Sequence, residues 1–295
     1  MTSDGASDGA SDGASDGAPG LWAGRIARLA TMHGKEAALA PPLARAGLEV
    51  RRVAGVDTDA LGTFTGEVPR AGTLHEAAEA KARLAIDRSG GDLGLGSEGA
   101  YGPHPQIPVI PQGVETVVLV DAARDLVLSE TMEARRPVYD HAEAAALPAL
   151  EPFLTRIGFP AHAVIVQPKG GGPARKGLRA RTALARAVAE AAEASAEGLA
   201  FVQTDMRAHM NPTRMTALTA LATRFAERLA RPCPACGAPG WGRVRPGPAL
   251  PCACCGGATL TRGAPVRGCA ACVHEASDPA GTAEADPMHC PACNP

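Results

Sequence analysis

Four Cys-x-x-Cys pairs, Cys233/Cys236, Cys252/Cys255, Cys269/Cys272 and Cys290/Cys293, fall within residues 232–295 of a 295-residue chain. Each pair sets two thiolates on one side of a tight knuckle, at the separation that two corners of a tetrahedral metal site require. The stretch around them is dense in Pro and Gly and has few periodic apolar residues, so it cannot build a hydrophobic core of its own. Eight ligands suffice for two four-cysteine sites, and the spacing is that of structural zinc. Each ion would stabilise the folded module by on the order of 10 kcal/mol.

Fifteen residues separate Cys236 from Cys252 and seventeen separate Cys272 from Cys290, both inside the usual window for a four-cysteine ribbon. The thirteen between Cys255 and Cys269 fall short of it. This favours consecutive sites, the first two pairs on one metal and the last two on another, with an interleaved cross-brace as the alternative. Gly237 and Gly256 follow their knuckles, where a backbone without Cβ is often needed. Cys254 is the odd cysteine and reads as a free thiol or as a substitute for Cys252. A dithiol redox centre would need a thioredoxin-like βαβ setting, which the surrounding sequence lacks, and four thiolates leave no open coordination position for a catalytic metal.

The rest of the chain has to supply its own core. Apolar residues are 45% of the whole and aromatics 3%, so that core is Ala, Leu and Val. A net charge of −2 gives no reason to expect a general nucleic-acid binder. No apolar run approaches the roughly 18 residues of a membrane helix, and the N-terminus has no basic and apolar leader. The expectation is a cytoplasmic protein, where nine cysteines favour metal over disulfides. Residues 3–18 are four copies of Ser-Asp-Gly-Ala, too poor in apolar side chains to repay ordering, so residues 1–20 read as a disordered acidic tail.

Residues 21–231 read as an α/β domain. Strands are expected at Gly24–Thr31, Leu48–Val53, Leu93–Ser97, Glu115–Asp121, Ala163–Gln167 and Leu199–Thr204. Helices are expected at Lys35–Ala46, Thr73–Arg88, Ala142–Ile157, Leu178–Ser195 and Pro212–Ala230, with a Pro-rich loop over Gly102–Gly113. Thr73 and Glu76 form a capping box, and Pro212 is a favoured first-turn residue. Such alternation implies a mixed sheet covered by helices on both faces, followed by the small zinc-ribbon module of residues 232–295.

Four segments carry more polar chemistry than packing needs. The first, Thr31-Met32-His33-Gly34-Lys35, lies where a strand turns into a helix, a place where backbone N–H groups attract anions and Lys35 can neutralise a phosphate. The second runs from Val56-Asp57-Thr58-Asp59 to Gly66-Glu67 and suits either a magnesium shell or ordinary turns. In the third, Glu76 on a helix and Glu98 at a strand end are carboxylates that can hold Mg²⁺; Glu79 has an ordinary surface partner in Arg83. The fourth is Thr204–Met215, with Asp205, Arg207, His209, Asn211 and Arg214. Its arginines suit bidentate contacts to phosphate or carboxylate, and Asn211 is equally well placed as a helix N-cap. The literal G-x-G-x-x-G at Gly94, Gly96 and Gly99 is not a dinucleotide fingerprint, because Tyr101-Gly102-Pro103-His104-Pro105 follows it instead of a helix.

The segments LATMHGKE, DTDALGTFTGE, GLGSEGAYGPHP and TDMRAHMNPTRM, followed by the Cys-rich tail, resemble an uncharacterised bacterial family, the domain of unknown function DUF6671, from about Arg25 to Pro295. That resemblance implies no activity. More remotely, residues 27–99 resemble the inosine/xanthosine triphosphate pyrophosphatases. Ala30-Thr31 to Lys35 is similar to their opening strand, loop and lysine. Thr73 to Ala82 matches their T-F-E-E-N-A-x-x-K-A helix at Thr73, Glu76, Ala78, Lys81 and Ala82, and Ser97-Glu98-Gly99 takes the place of their acidic loop. The sequence departs from them in having Met32-His33-Gly34 where an Asn is usual and a lone Glu98 where an acidic pair is usual.

The reading these features support is a Mg²⁺-dependent hydrolase of a nucleoside triphosphate or related phosphorylated metabolite. Glu98 and Glu76 would act at the metal, Lys35 and Arg207 would grip phosphates with Thr31, Asp205 and Asn211 nearby, and His209 and Arg214 would face the base. The alternative is a non-catalytic protein whose zinc ribbons bind a protein partner or nucleic acid while the α/β part senses a ligand; Arg243, Arg245, Arg262 and Arg267 point that way.

Overall fold

The computed structural model describes residues 20–58, 72–277 and 283–295. The Ser-Asp-Gly-Ala tract and residues 59–67 of the second polar segment lie outside the described residues. No helix among the described residues is long and apolar enough to cross a membrane.

The first layer follows from the sequence closely. Strand β1 (Arg25–Leu29), helix α1 (Glu36–Ala44), strand β2 (Leu48–Arg52), helix α2 (Leu74–Ser89) and strands β3 (Leu93–Pro103), β4 (Pro111–Asp121) and β5 (Leu126–Ala134) succeed one another. They form one sheet in the order β2-β1-β3-β4-β5, with β1 parallel to both neighbours and β3, β4 and β5 antiparallel. The sheet is therefore mixed. Leu39 and Leu43 of α1 bury on one face together with Leu29, Leu95 and Leu119, while Ala78 and Ala82 of α2 bury on the other against Val118 and Val120. The chain thus leaves β1 toward β2 on one side and returns to β3 on the other, with its helices on opposite faces. In open α/β sheets the crevice for ligands opens at the carboxyl ends of strands at such a reversal.

Glycines at 94 and 96 let α2 lie close. A Cβ at either would run into the carbonyl oxygens of Ala82 and Ala78 in the helix backbone. The G-x-G pattern is thus a packing device between a strand and its covering helix. The Pro-rich loop expected over 102–113 shrinks, because β3 and β4 keep pairing from Leu93↔Asp121 out to Pro103↔Pro111. Gly113 leaves the space that the Tyr101 ring occupies across the pair. Strand β5 was not anticipated.

The second layer departs further from expectation. Strand β6 (His141–Ala144), helix α3 (Glu151–Ile157), strands β7 (Val164–Pro168) and β8 (Arg175–Leu178), helix α4 (Arg181–Ala194), strand β9 (Ala200–Thr204) and helix α5 (Pro212–Leu229) follow. A second, antiparallel sheet, ordered β6-β9-β7-β8, packs Val164, Val166 and Val202 on Phe153 and Leu154 of α3 and Leu184 and Val188 of α4. The expected single helix over 142–157 is instead a strand, a 3₁₀ turn at Leu147–Leu150 and the short α3. Pro148 and Pro152 are disfavoured in the middle of one continuous helix and instead take first-turn positions of the 3₁₀ turn and of α3, and Ala142 and Ala144 carry no pattern that separates helix from strand. The helix expected from Leu178 starts at Arg181, because Arg175–Leu178 pairs with β7 as β8.

Helix α5 returns to the first sheet. Leu218, Leu221, Ala222, Phe225 and Leu229 repeat at helical spacing and are buried, so α5 and α1 share one face of that sheet. The indole of Trp22 donates to the Leu229 carbonyl at 3.0 Å, which fixes the start of the fold beside the end of α5.

Strands β10 (Gly242–Arg245), β11 (Ala249–Pro251), β12 (Ala258–Arg262), β13 (Val266–Gly268) and β14 (Glu275–Ser277) make up the C-terminal module. They form a three-stranded sheet β10-β13-β14 and a hairpin β11-β12. The first pairs Gly242 with Gly268 and so draws the knuckle at Cys269 toward that at Cys233. A parallel bridge, Cys252 to Ala285, draws the last knuckle toward the second. Strand pairing therefore interleaves the cysteine pairs, and the consecutive pairing favoured by loop lengths is not what forms.

Candidate functional site

The polar segments converge at the carboxyl end of β1. Thr31 follows β1, Lys35 opens α1, Lys81 lies on α2, Ser97 and Glu98 lie on β3, and Arg207 and Arg214 flank the start of α5; together with Met32, His33 and Thr58 they line one cleft of about 40 Å³. Residues from the first, third and fourth segments meet here, and Thr58 brings in the start of the second.

Lys35 sits at the bottom. Its ammonium is buried and donates to the Ser97 backbone carbonyl and to Ser97 Oγ, each at 3.0 Å. Among the described residues it makes no ion pair. Burial, then the nearby Arg214 charge, lowers its pKa to about 8. An ammonium has three protons to donate, and two bonds to Ser97 leave one for the cleft.

The neighbouring cations are matched to carboxylates. Lys81 pairs with Glu98, both mostly buried. Arg207 grips Asp205 through the Nε–Nη2 edge of its guanidinium, with Nη2 at 2.6 Å from Oδ2, and Asp205 is fully buried. Arg214 donates from Nε to Glu115 Oε1 at 2.6 Å, from Nη2 to Oε2 at 3.4 Å, and from Nη1 to the Met206 carbonyl. The Tyr101 hydroxyl donates to the same Glu115 oxygen at 2.7 Å, and its ring lies against the Arg214 guanidinium. Burial and the Glu115 charge raise the Tyr101 pKa, so it remains a donor.

Several expected site residues have structural duties. Asn211 is the N-cap of α5, accepting from the Arg214 N–H at 2.9 Å. Arg214 is an internal strut whose guanidinium is engaged on Glu115 and Met206, so its position differs from the base-facing one expected. Glu76 completes the capping box, accepting from the Thr73 N–H at 2.7 Å, which holds its carboxyl below the usual range. It is exposed and is not among the residues lining the cleft, so Glu76 and Glu98 are not brought together there. His209 stands at the rim, its ring 5.3 Å from that of His33, and burial followed by the Arg207 charge lowers its pKa. Lys81, Ser97, Glu115 and Tyr101 were absent from the sequence-derived site. Glu115 reads as an ordinary strand residue, and only its burial opposite Arg214 reveals it.

The second site is the C-terminal module. Cys233, Cys236, Cys269 and Cys272 form one tetrad and Cys252, Cys255, Cys290 and Cys293 another, with all sulfurs in each within 4.8 Å of one another. Sγ–Sγ separations of 3.9 Å for Cys233–Cys272 and 3.6 Å for Cys236–Cys269 recur as 3.9 Å for Cys252–Cys293 and 3.6 Å for Cys255–Cys290. A tetrahedral ion with metal–sulfur bonds of about 2.3 Å needs sulfurs about 3.8 Å apart. Backbone N–H groups of Cys254 and Ala271 point at Cys252 and Cys269 sulfurs, 3.3 and 3.2 Å away, as support for thiolates. Gly237 and Gly256 have φ of +73° and +71° at the ends of their knuckles. Cys254 is exposed and belongs to neither tetrad. Both sites can hold a metal ion, and among the described residues no other cluster of three such ligands exists.

Residues 81–295 match the family model for the domain of unknown function DUF6671. The match begins within α2, so β1 and α1, which carry Thr31 and Lys35, precede it. No curated protein and no solved structure matches the chain. None of these comparisons shows the likeness of residues 27–99 to the pyrophosphatases that the sequence motifs suggested.

Two predictions follow from this geometry. Glu115→Ala leaves the Arg214 charge buried without its partner, so unfolding in urea should show a loss of about 3–5 kcal/mol. Metal analysis of purified protein should find two ions per chain. Cys233→Ser/Cys269→Ser, which damages one tetrad twice, should retain one ion, whereas Cys233→Ser/Cys252→Ser should retain none. Consecutive pairing would reverse those two results.

Proposed function

The chain belongs to the DUF6671 family, whose description names no activity, and from the geometry of the cleft we propose that it binds the phosphate groups of a small phosphorylated metabolite, a nucleoside triphosphate first among them, and hydrolyses it. One observation carries this reading. The cleft gathers four cations, Lys35, Lys81, Arg207 and Arg214, against three carboxylates in contact with them, Glu98, Asp205 and Glu115. Four minus three leaves one positive charge, and it rests on Lys35, the group that has no carboxylate. A buried ammonium with a spare proton is a receptor for an anion, and at the carboxyl end of β1 that anion also meets the amide-rich start of α1.

Magnesium enters with less from the protein than the sequence suggests. Glu98 is the carboxylate that lines the cleft, and one carboxylate plus substrate phosphates is an ordinary Mg²⁺ environment. Mg²⁺ bound there would neutralise charge on the phosphates and acidify a water. The chain's own residues do the rest. Lys35 holds the phosphate, Arg207 with Asp205 behind it supplies a rigid guanidinium at the cleft wall, and Lys81 sets the orientation of Glu98. His33 and His209 stand at the rim, where a base or sugar would emerge. The tetrads are read as structural zinc, since four thiolates leave no position for substrate.

The test is release of phosphate or pyrophosphate from a panel of normal and deaminated nucleoside triphosphates with Mg²⁺. Turnover is expected in the unaltered protein, a loss of at least a hundredfold in Glu98→Gln, and at least a tenfold rise in KM in Lys35→Met. No release from any nucleotide would sink the hydrolase reading. The pH dependence is a second check. Lys35 in the folded protein is lowered from its ordinary 10.5 to about 8, so its cation is lost as pH rises through about 8. Affinity for tripolyphosphate, measured by calorimetry, should fall above that pH by up to tenfold per unit, and Lys35→Met should flatten the decline. Stability has the opposite sign: between those values the unfolded chain holds more protons, so this group's unfavourable contribution is relieved as pH rises.

A further inference from the structure

A second cavity among the described residues shares no lining residue with the cleft. It is a groove of about 1100 Å³ between β5, the outward face of α5 and β10 of the metal module. Its floor is made by small residues of α5, Thr213, Thr216, Ala217 and Ala220. On the same helix Arg228, outside the lining, donates to the Ser129 carbonyl on β5 and, at 3.0 Å, to the Gly240 carbonyl just before β10. The module is thereby fastened to the edge of the sheet.

Both walls are unpaired strand edges. β5 is the last strand of its sheet and β10 the last of its own. The Ser129 carbonyl points away from β4, since Arg228 reaches it from outside, and residues two apart on a strand share that direction. Thr131 and Glu133 therefore turn their backbone N–H and C=O groups toward the groove. A free edge of this kind is a template for another strand.

Charge selects the strand. Arg224 is matched to Glu130 at 2.7 Å and Arg245 to Glu275 at 2.5 Å, whereas among the described residues Arg135 and Arg243, exposed on opposite walls, and the exposed Glu133 make no ion pair or side-chain hydrogen bond, which leaves the unmatched lining charge positive by one. We propose that the groove takes an acidic peptide segment in extended conformation, added as a strand to the outer edge of β5, with its carboxylates on Arg135 and Arg243. The run from Ser129 to Arg135 would accommodate about seven residues, on the order of 23 Å of strand.

The experiment is selection of displayed random eight-residue peptides on the full chain with its metal retained, followed by fluorescence anisotropy of the enriched peptides. The expected result is enrichment of acidic sequences. Their affinity should fall at least tenfold with Arg135→Glu/Arg243→Glu, and also when alternate peptide nitrogens are methylated to remove strand hydrogen bonds. Both arginines are exposed and unpaired, so unchanged metal content and thermal unfolding would certify that the variant is folded. Three outcomes would overturn the proposal: no enrichment, enrichment of basic or apolar peptides, or binding indifferent to charge reversal or to methylation. Charge-dependent retention of a single-stranded oligonucleotide without any peptide would likewise overturn it, assigning the arginines to phosphate.

Discussion

The buried pair of Arg214 and Glu115 is the contact through which the parts of this protein are held in relation. Glu115 belongs to the first sheet, and Arg214 to the first turn of α5, directly after the second sheet's last strand. The guanidinium also takes the Met206 carbonyl, in the link that leaves that strand. Neither charge touches bulk water, and each is tolerable only because the other is present. Hydrogen bonds from Tyr101 and the Asn211 cap fix the remaining freedom. Because Arg214 lies against the cleft, the same contact sets the position of one cleft wall.

From α5 the consequences run in both directions. At its start, the chain between β9 and the helix delivers Arg207 to the cleft and His209 to the rim. At its end, Arg228 holds the Ser129 carbonyl and the Gly240 carbonyl together, so the metal module is attached here through backbone oxygens. The module itself has little core, and its two tetrads take that role. The interleaved arrangement matters here. Each site ties together chain segments that straddle the other site, so neither half of the module can fold as an independent ribbon.

Much of the front sheet could be read from the sequence because its signals are local. The Thr73/Glu76 capping box, the Asn211-Pro212 helix start and the Leu-rich face of α5 each depend on residues within one or two turns. The eight thiolates were equally legible as ligands, since a knuckle is defined within four residues. Their partition was not, because loop length is a weak constraint beside the strand pairs Gly242↔Gly268 and Cys252↔Ala285, which no spacing rule contains. The strand at His141–Ala144 was lost for a different reason. Alanine fits helix and strand alike, and only pairing with β9 decides between them. In the cleft, Thr31, Lys35, Glu98 and Arg207 stood out as polar residues at strand ends. Glu115 gave no local sign, because a carboxylate within a strand is normally solvated, and its role exists only once Arg214 is placed opposite.

The charge balance around Lys35 is the feature least accounted for by folding. Lys81, Arg207 and Arg214 each have a carboxylate within hydrogen-bond distance, as buried cations require. Lys35 has a serine hydroxyl and a carbonyl instead, and burial beside Arg214 lowers its pKa to about 8. A methionine of similar volume would avoid that desolvation, and a nearby carboxylate would neutralise it. The chain uses neither, and keeps at the carboxyl end of β1 a buried cation whose ionised form is less favoured than in water. An arriving phosphate would raise the lysine's pKa toward its ordinary value, so binding and protonation would reinforce one another. Such a group costs stability in the empty fold and would recover it in the phosphate-bound form proposed above, so the proposal carries an energetic consequence as well as a chemical one.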